Sequence, residues 1–445
     1  MTAREFDIVL FGATGFVGAL TAAHLAEHAG QAGKAEQAGK GEQAGKGEQA
    51  GKGGTPGLRI ALAGRSQPRL EALRAELGPT ARDWALVTVD ATDAPAVRAL
   101  AGRAMVLATT VGPFAVYGKE VVQACADAGT HYADLTGEVL FVRWSQEQVA
   151  ERAAVTGAKI VHACGFDSIP SDLGVLVTAE RAAADGAGTL GETLLAVKSA
   201  KGGISGGTID SGRQQAIAAR SDASARRVIR DPYGLSPRRG EEPPSGRRRP
   251  GGLRGALRTI LPIERDAETR RWTGPFLMAS FNTRIVRLSN TLTDWSYGRD
   301  FRYREVTDFG SSPISPLLAA ATTIATTGAV AGLSFGPTRA VLDRFLMKPG
   351  EGPSPASRAA GRFHFEIRTT TTTGARYRTT VGADYDPGYS GTAIMLGQSA
   401  LCLALDGDRL PGRSGVLTPA TAMGDVLVER LRAQGFTFEV APMPD

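Results

Sequence analysis

The chain has 445 residues, 42% hydrophobic and 22% charged, a globular composition that can bury a large core and favours two domains. The net charge of +6 is modest for this length and does not by itself indicate a nucleic-acid partner. Cys125, Cys164 and Cys402 lie far apart in the sequence, without metal-ligand spacing, and only five histidines occur. We therefore expect buried thiols in a reducing cytoplasm and no metal site.

The N-terminal residues predict a dinucleotide-binding turn. An apolar strand at 6–11 begins almost at once, so we expect no secretory export, and it runs into a glycine-rich turn. In such a turn, successive glycines permit the tight bend, the approach of backbone N–H groups to a pyrophosphate, and close packing of the next helix. The alternative is an ordinary strand-turn-helix whose glycines only relieve crowding. The predicted cofactor contacts are Gly12, Ala13, Thr14, Gly15, Phe16, Val17 and Gly18.

The residues that follow the second strand, at 58–63, indicate which nicotinamide dinucleotide the site would bind. This strand ends next to Arg65 and Ser66, where an acidic residue would accept hydrogen bonds from the ribose 2′-OH of NAD. A guanidinium and a hydroxyl instead suit a 2′-phosphate, which favours NADP(H). Alternatively, Arg65 is a solvated surface charge. A third strand at 85–89 ends in Asp90, which we expect to border the adenine.

The fourth strand, at 104–109, leads towards the nicotinamide end of the predicted site. Val111, Gly112 and Pro113 follow it, at the carboxyl edge of the predicted parallel sheet. We therefore include these three residues among the predicted cofactor contacts.

The order of predicted strands and helices indicates an N-terminal Rossmann domain at 1–170, with a doubly wound parallel sheet. A repeat at 31–54 interrupts this domain. The repeat has no apolar face and predicts a disordered surface insertion. We expect helices at 118–128 and 145–156 and strands at 130–135 and 159–164, the last completing the sheet. The next helix is expected to run to residue 180, capped by Ser171 or Asp172.

Residues 171–390 predict a second, α+β domain for substrate binding and dimerisation, with a mixed or antiparallel sheet. Residues 231–258 are rich in Pro, Gly and Arg and predict a flexible basic loop, whereas 310–337 carry no charge and predict a buried or membrane-surface helix. Helices in 391–445 are expected to pack back on the first domain. The predicted strands of the second sheet are 193–199, 278–288, 362–373 and 375–384, and the predicted late helices are 392–405 and 418–434.

Hydride transfer often needs a proton source close to the acceptor, and several polar residues follow strands that point towards the nicotinamide end. For each, the alternative is a structural hydrogen bond or a packing contact. A glycine-rich run at 202–208 suits either an anionic substrate or a tight crossing between domains. The candidate catalytic residues are Tyr117, Tyr132, Asp134 and Asp167, with His131 and Ser168 beside them.

Several motifs together resemble the saccharopine-dehydrogenase-like oxidoreductases, and within them the trans-acting enoyl reductases. The resemblance covers nearly the whole chain, apart from the repeat at 31–54. The motifs are FGATGFVG at 11–18, AGR at 63–65, VGPF at 111–114 with Tyr117 and Gly118, HYADLTGE at 131–138, GFDSIPSD at 165–172, GISGGT at 203–208, YGRDFRY at 297–303, DPGY at 386–389 and LTPATAM at 417–423.

The resemblance implies an NADPH-dependent reductase that acts in trans on the carbon-carbon double bond of an enoyl thioester carried by a polyketide synthase. It does not assign the proton donor. It also implies contact with lipid-associated membranes, and a homodimer is left open. Two other hypotheses remain, a saccharopine-type amino-acid dehydrogenase and a nucleotide-binding scaffold at a membrane surface without catalysis.

Overall fold

The computed structural model describes most of the chain. The described residues are 4–28, 57–202, 211, 212, 215, 217, 220, 222–243, 262–333 and 352–444. The repeat at 31–54, the glycine-rich run beyond Gly202 and the second part of the basic loop, 244–258, lie outside the described residues.

The first sheet has seven parallel strands in the order β13-β6-β5-β4-β1-β2-β3. From β3 to β6 this is the doubly wound order of a Rossmann domain, so the predicted fold class is confirmed. Strand β1, beside the middle strand β4, is apolar on both faces, and its Ile8, Val9 and Leu10 have no exposed surface, as expected when helices cover both sides. The strands are β1 Phe6–Phe11, β2 Ile60–Gly64, β3 Ala85–Thr88, β4 Ala104–Thr109, β5 His131–Asp134, β6 Lys159–Val161 and β13 Gly415–Leu417.

The helices between these strands begin and end where the sequence provides caps. Asp93 accepts a hydrogen bond from the Ala96 N–H at the start of α3, and Gly129 adopts a left-handed conformation (φ 68°) at the end of α4. The helices are α1 16–28, α2 Gln67–Glu76, α3 Ala94–Arg103, α4 Phe114–Ala128, α5 Val139–Gln148, α6 Ala150–Thr156 and α7 Ile169–Ala184.

The second sheet also has seven strands, in the order β14-β12-β11-β7-β10-β9-β8. Strands β7 and β10 pair in parallel and the other pairs are antiparallel, so this sheet is mixed, as predicted. The strands are β7 Leu190–Lys201, β8 Glu264–Arg265, β9 Trp272–Pro275, β10 Arg302–Gly310, β11 Arg362–Thr371, β12 Arg376–Ala383 and β14 Thr437–Pro442. The later helices are α8 Ala223–Arg230, α9 Ala279–Leu292, α10 Ser315–Leu333, α11 Pro355–Ala359, α12 Thr392–Leu405 and α13 Pro419–Ala433.

The prediction of a strand at 278–288 is wrong, because this segment forms α9. Its alternating pattern also fits a helix, and Phe281, Ile285 and Leu288 are buried at helical spacing. The second sheet instead takes β8, β9, β10 and β14, which the sequence reasoning missed.

Three further predictions near the first sheet need correction. The sheet is not complete at β6, since β13 from the C-terminal region pairs with it, placing Val416 beside Ile160. The helix predicted at 145–156 is two helices, α5 and α6, separated at Val149. Ser168, rather than Ser171 or Asp172, stands at the cap position of α7.

Residues 231–243 fold as a packed turn and a short 3₁₀ helix, unlike the flexible loop expected there. Leu235 is 1% exposed. Arg238 pairs with Asp294 at 2.6 Å and Arg239 with Asp231 at 2.5 Å. Ion pairs and burial therefore hold the first half of the predicted basic loop.

Helix α10 occupies most of the uncharged segment at 310–337. A stripe of small residues, Ser315, Ala319 and Thr323, is buried where the helix packs on β9 and β10. Leu317 and Ile324 are exposed. Among the residues the structure describes, no helix combines the length and apolar character needed to cross a bilayer. A membrane-surface role for α10 stays a prediction.

Helix α1 meets α12 at two histidines. Gly397 lets α12 approach His24, because a Cβ there would lie 2.6 Å from the imidazole Cδ2. The Gln398 amide nitrogen donates to Nε2 of both His24 and His28, each at 2.9 Å. His24 must therefore accept at Nε2, which requires its neutral form. Burial and, to a smaller extent, the neighbouring His28 together lower the pKa of His24 to about 3.

This junction predicts a loss of stability in acid. His24 titrates near 6.5 in the unfolded chain and near 3 in the folded one, so falling pH protonates the unfolded chain first. At 1.36 kcal/mol per pKa unit, the free energy of unfolding should drop by about 2 kcal/mol between pH 7 and pH 5 on account of His24. Urea denaturation at both pH values measures this change. His24→Gln can accept the same hydrogen bond without titrating, and an undiminished pH dependence in it would contradict the assignment.

Candidate cofactor site

The turn after β1 has the geometry that its glycines predict. Gly12 has a φ of 88°, and a Cβ on it would come within 2.7 Å of the Thr110 hydroxyl oxygen. A Cβ on Gly18 would collide with the Gly12 carbonyl oxygen and lie 3.0 Å from the Ala13 Cα. Only glycine allows β1, α1 and the loop after β4 to meet this closely. The turn therefore leaves the N-terminal end of α1 at the carboxyl edge of the first sheet.

The adenosine end of the predicted site carries two arginines. Arg65 is exposed directly after β2, and Ser66 follows it. Arg69, which the sequence reasoning missed, donates from Nη2 to the Thr14 carbonyl oxygen at 2.9 Å and so ties α2 to the glycine-rich turn. The sequence could have indicated Arg69, because it follows Arg65 by four residues, which is about one helical turn.

Asp90 lies exposed just after β3, and its carboxylate is already engaged. It accepts hydrogen bonds from the Thr92 N–H and hydroxyl, at 2.9 and 2.7 Å. These two hydrogen bonds lower the pKa of Asp90, and the positive charge of Arg65 lowers it further. Because β2 and β3 pair up to Gly64 and Thr88, Arg65 and Asp90 follow neighbouring strand ends, on the side of the turn where this fold places the ribose of a dinucleotide.

The loop after β4 forms the other wall of the turn. The Thr110 hydroxyl donates to the Gly12 carbonyl oxygen at 3.0 Å, and the Val111 N–H donates to the Thr109 hydroxyl at 3.1 Å. Gly112 is exposed and Pro113 half-buried, ahead of α4. This loop lies at the predicted nicotinamide end, next to the glycine-rich turn.

Glu138 fixes this loop, a role that the sequence reasoning missed. Its carboxylate oxygens accept from the Phe114 and Ala115 N–H groups at 2.9 and 2.8 Å, which caps α4 across the sheet edge. The Ser211 hydroxyl donates to the same carboxylate at 2.8 Å. Burial raises the pKa of Glu138, while these hydrogen bonds oppose the rise. The Gln215 amide nitrogen donates a hydrogen bond to the Gly137 carbonyl oxygen at 3.0 Å. Ser211 and Gln215 therefore both bind the 137–139 segment.

Tyr132 and Asp134 are not accessible to a ligand, which corrects their prediction as catalytic residues. Both are fully buried. The Tyr132 hydroxyl donates to Asp134 at 3.0 Å, and His162 Nδ1 lies 2.7 Å from the same carboxylate oxygen. The other oxygen accepts from the Thr136 and Ala163 N–H groups, both at 3.0 Å. Burial raises the pKa of Tyr132 well above its usual value, and this network holds the loops after β5 and β6.

His131 and Ser168 also have structural roles. His131 begins β5 at the opposite edge of the sheet, and its Nδ1 accepts the Lys159 N–H at 3.1 Å. Burial lowers the pKa of His131 to about 4. Ser168 is 1% exposed and donates to Asn282 at 3.2 Å.

Asp167 is the predicted proton donor that the structure leaves best placed. It is half-buried in the loop after β6, and its carboxylate would lie 3.8 Å from a Cβ on Gly137, as would the Met278 methyl group. The Thr392 hydroxyl, at the start of α12, accepts the Phe166 N–H at 3.2 Å, so the C-terminal helices fix the loop, whereas Met278 belongs to the second domain. Asp167 therefore lies between the two domains, at the carboxyl edge.

Tyr117 is half-buried in the first turn of α4 and packs against the apolar cluster on the outer face of the first sheet. Tyr117 thus makes the packing contact that the sequence analysis gave as the alternative to a catalytic role. Within the described ranges, no group of three or more His, Cys, Asp or Glu side chains could hold a metal ion.

A groove of 540 Å³ lies elsewhere, between α7, α13 and β14. Its lining is mixed in charge, because Arg181 and Arg432 lie beside the acidic residues Glu180, Asp425, Glu429 and Glu439. Because it shares no residue with the glycine-rich turn, it is not the candidate cofactor site.

Comparisons with known proteins give close relatives in sequence. A trans-acting enoyl reductase of Mycobacterium tuberculosis is 47% identical over 440 residues, covering 97% of both chains. A trans-acting enoyl reductase of Mycobacterium ulcerans is 46% identical over 441 residues, again covering 97% of both. No family model matches the chain.

Similar solved structures are more distant. Saccharopine dehydrogenase of Saccharomyces cerevisiae covers 98% of this chain and 99% of its own, with a TM-score of 0.49 and 12% identity. Homospermidine synthase of Legionella pneumophila, solved with NAD, covers 100% and 92%, with a TM-score of 0.45 and 9% identity.

Gly18→Ala tests the glycine-rich turn. The added methyl group would push α1 away from Gly12, so we expect a lower melting temperature and about tenfold weaker dinucleotide binding. Gly102→Ala is the matched control, because nothing lies within 4 Å of a Cβ there. In the helix α3 it should gain roughly 0.5–1 kcal/mol and keep its affinity. Equal losses in both variants, measured by thermal unfolding and nucleotide titration, would contradict this reading of Gly18.

Proposed function

The chain belongs to the trans-acting enoyl reductase family and is an oxidoreductase, and from this premise we propose that it uses NADPH to reduce the carbon-carbon double bond of an enoyl thioester. The observation that carries the proposal is the glycine-rich turn, in a chain that matches its relatives over 97% of both lengths. Gly12 and Gly18 bring β1, α1 and the loop after β4 together at the edge where dinucleotides bind this fold.

The residues around the turn fit a dinucleotide. A side chain at Gly12 or Gly18 would fill the space between the turn and its neighbours, and the first turn of α1 contains no acidic residue. Backbone N–H groups at a helix N-terminus suit a pyrophosphate. Arg65 and Ser66, at the end of β2, suit a 2′-phosphate, which supports NADP(H) over NAD(H).

The chemistry of the site follows from this arrangement. When bound, a reduced nicotinamide supplies the hydride that reaches the β-carbon of the enoyl thioester. The α-carbon then needs a proton, and Asp167 is the candidate to deliver it, because it lies at the carboxyl edge between the two domains. Glu138 holds the loop at the nicotinamide end in place by capping α4.

The partner we propose is an acyl chain carried as a thioester on a carrier protein of a polyketide synthase, since a reductase acting in trans serves a synthase that lacks its own. Peripheral membrane contact through α10 and a homodimer are further proposals for a cytoplasmic enzyme. The exposed Leu317 and Ile324 support the membrane contact.

The amino-acid dehydrogenase alternative is less well supported. It needs free arginines to bind the carboxylates of its substrate. Arg238 and Arg239 are instead paired with Asp294 and Asp231. The remaining alternative, a scaffold that holds a nucleotide without turnover, is distinguished by the assay.

The test is a titration of the protein with NADPH and NADH, followed by an absorbance assay of nicotinamide oxidation with crotonyl-pantetheine. We expect NADPH-selective binding and oxidation that depends on the thioester. Binding without oxidation of either this surrogate or a carrier-bound enoyl thioester would favour the scaffold alternative. Oxidation with an imino or keto acid instead would favour the amino-acid dehydrogenase.

Arg65→Ala tests the choice of cofactor. Losing one charge-assisted contact to the 2′-phosphate should weaken NADPH binding about tenfold or more and leave NADH binding nearly unchanged. Arg82→Ala, at another exposed arginine of the same domain, should change neither affinity. Equal losses for both nucleotides, measured by fluorescence titration, would show that Arg65 does not bind the 2′-phosphate.

Asp167→Asn and Tyr117→Phe separate the two remaining candidates for the proton donor. Loss of a general acid typically lowers kcat by about 100-fold or more, so we expect this for Asp167→Asn with little change in the Kd of NADPH. Tyr117→Phe should keep kcat near that of the wild type, because the ring packs on the first sheet. The reverse pattern in steady-state kinetics would exchange the two roles.

A further inference from the structure

A segment of the second domain covers the glycine-rich turn. Gly352 packs directly on the ring of Phe16, the first residue of α1, and a Cβ at Gly352 would collide with that ring. The edge of Tyr389 meets the same ring with 5.1 Å between centroids. The guanidinium of Arg358, on α11, lies over Phe16 at 5.2 Å from the ring centroid. The second domain thus places a positive charge beside the start of α1.

Arg358 is held in this position by its own surroundings. Ser354 caps α11, accepting from the Ser357 N–H at 3.2 Å, and its carbonyl oxygen accepts the Arg358 N–H at 3.0 Å. Asp386 accepts from the Tyr389 N–H at 2.9 Å, which fixes the other ring against Phe16. A guanidinium stacked on a fixed aromatic ring loses little further freedom when it binds an anion.

The charge of Arg358 is not balanced within the part of the chain that the structure describes. There it forms no ion pair, and Nη1 has one weak hydrogen bond, to the Pro353 carbonyl oxygen at 3.5 Å. The N-terminus of α1 is also a positive pole, because its first N–H groups point outward. The Arg358 guanidinium and the N-terminus of α1 repel each other, and this arrangement becomes favourable when an anion lies between them.

We propose that Arg358 binds the pyrophosphate of the nicotinamide dinucleotide, so that the second domain contributes a residue to the cofactor site. This rests on the proposed function, since it assigns a residue to the nucleotide that the glycine-rich turn receives. The guanidinium matches phosphate oxygens through two parallel N–H groups. Its task differs from that of Arg65, because the pyrophosphate is common to NADPH and NADH and the 2′-phosphate is not.

Arg358→Met tests the proposal, because methionine keeps an apolar stem on Phe16 and removes the charge. We expect binding of NADPH and of NADH to weaken by the same factor, about tenfold or more, with their affinity ratio unchanged. Arg358→Lys, which keeps a charge but loses the paired N–H groups, should recover part of the affinity. Arg362→Met, at an exposed position on β11, is the matched control and should bind both nucleotides as the wild type does.

Hydrogen exchange gives a readout that does not depend on activity. NADPH should slow amide exchange in peptides covering 352–361 of the wild type, and this protection should be lost in Arg358→Met at a saturating nucleotide concentration. The melting temperature of each variant without nucleotide checks that it is folded.

The outcomes separate the two proposals. Wild-type affinity in Arg358→Met overturns the role of Arg358 and leaves the proposed function intact. A loss confined to NADPH would assign Arg358 to the 2′-phosphate and overturn the pyrophosphate contact. A wild type that binds neither nucleotide would overturn the proposed function and this inference together.

Discussion

Buried carboxylates on backbone N–H groups hold the carboxyl edge of the first sheet together. Glu138 caps α4, and Asp172 accepts the Ala420 N–H at the start of α13 at 2.8 Å. Asp134 accepts hydrogen bonds from the loops after β5 and β6. Burial disfavours the charge of Asp172 and raises its pKa to about 6. The start of α1 has no such carboxylate in its first turn. At this edge, therefore, α4 and α13 begin at carboxylates of the protein itself, whereas the start of α1 suits an anion from a ligand.

The two domains are joined by far more than one connection. Helix α12 packs on strands of the first sheet, β13 extends that sheet, and β14 then extends the second one. Phe16 meets Tyr389 and Arg358 across the same boundary. A ligand at the glycine-rich turn would lie next to this boundary, and Thr392 of α12 holds the loop that carries Asp167.

The sequence predicted what depends on neighbours along the chain and missed what depends on distant partners. The spacing of Gly12 and Gly18 was enough for the turn, because the steric need for glycine is local. The roles of Tyr132 and Asp134 were wrong, since a polar residue after a strand can point into a buried network as well as into a cleft. Strand β13 and the Glu138 cap are contacts between remote segments, which no local pattern encodes.

Strand β13 has a consequence for how the protein is made. The residues that carry the glycine-rich turn leave the ribosome about 400 residues before the edge strand at 415–417 that completes their sheet. Until then β6 presents an unpaired edge, and α12 has not covered β1, β4 and β5. The domain therefore cannot finish folding during synthesis in the usual N-terminal-first order, and the incomplete sheet must be kept from pairing with other chains until the C-terminal region arrives.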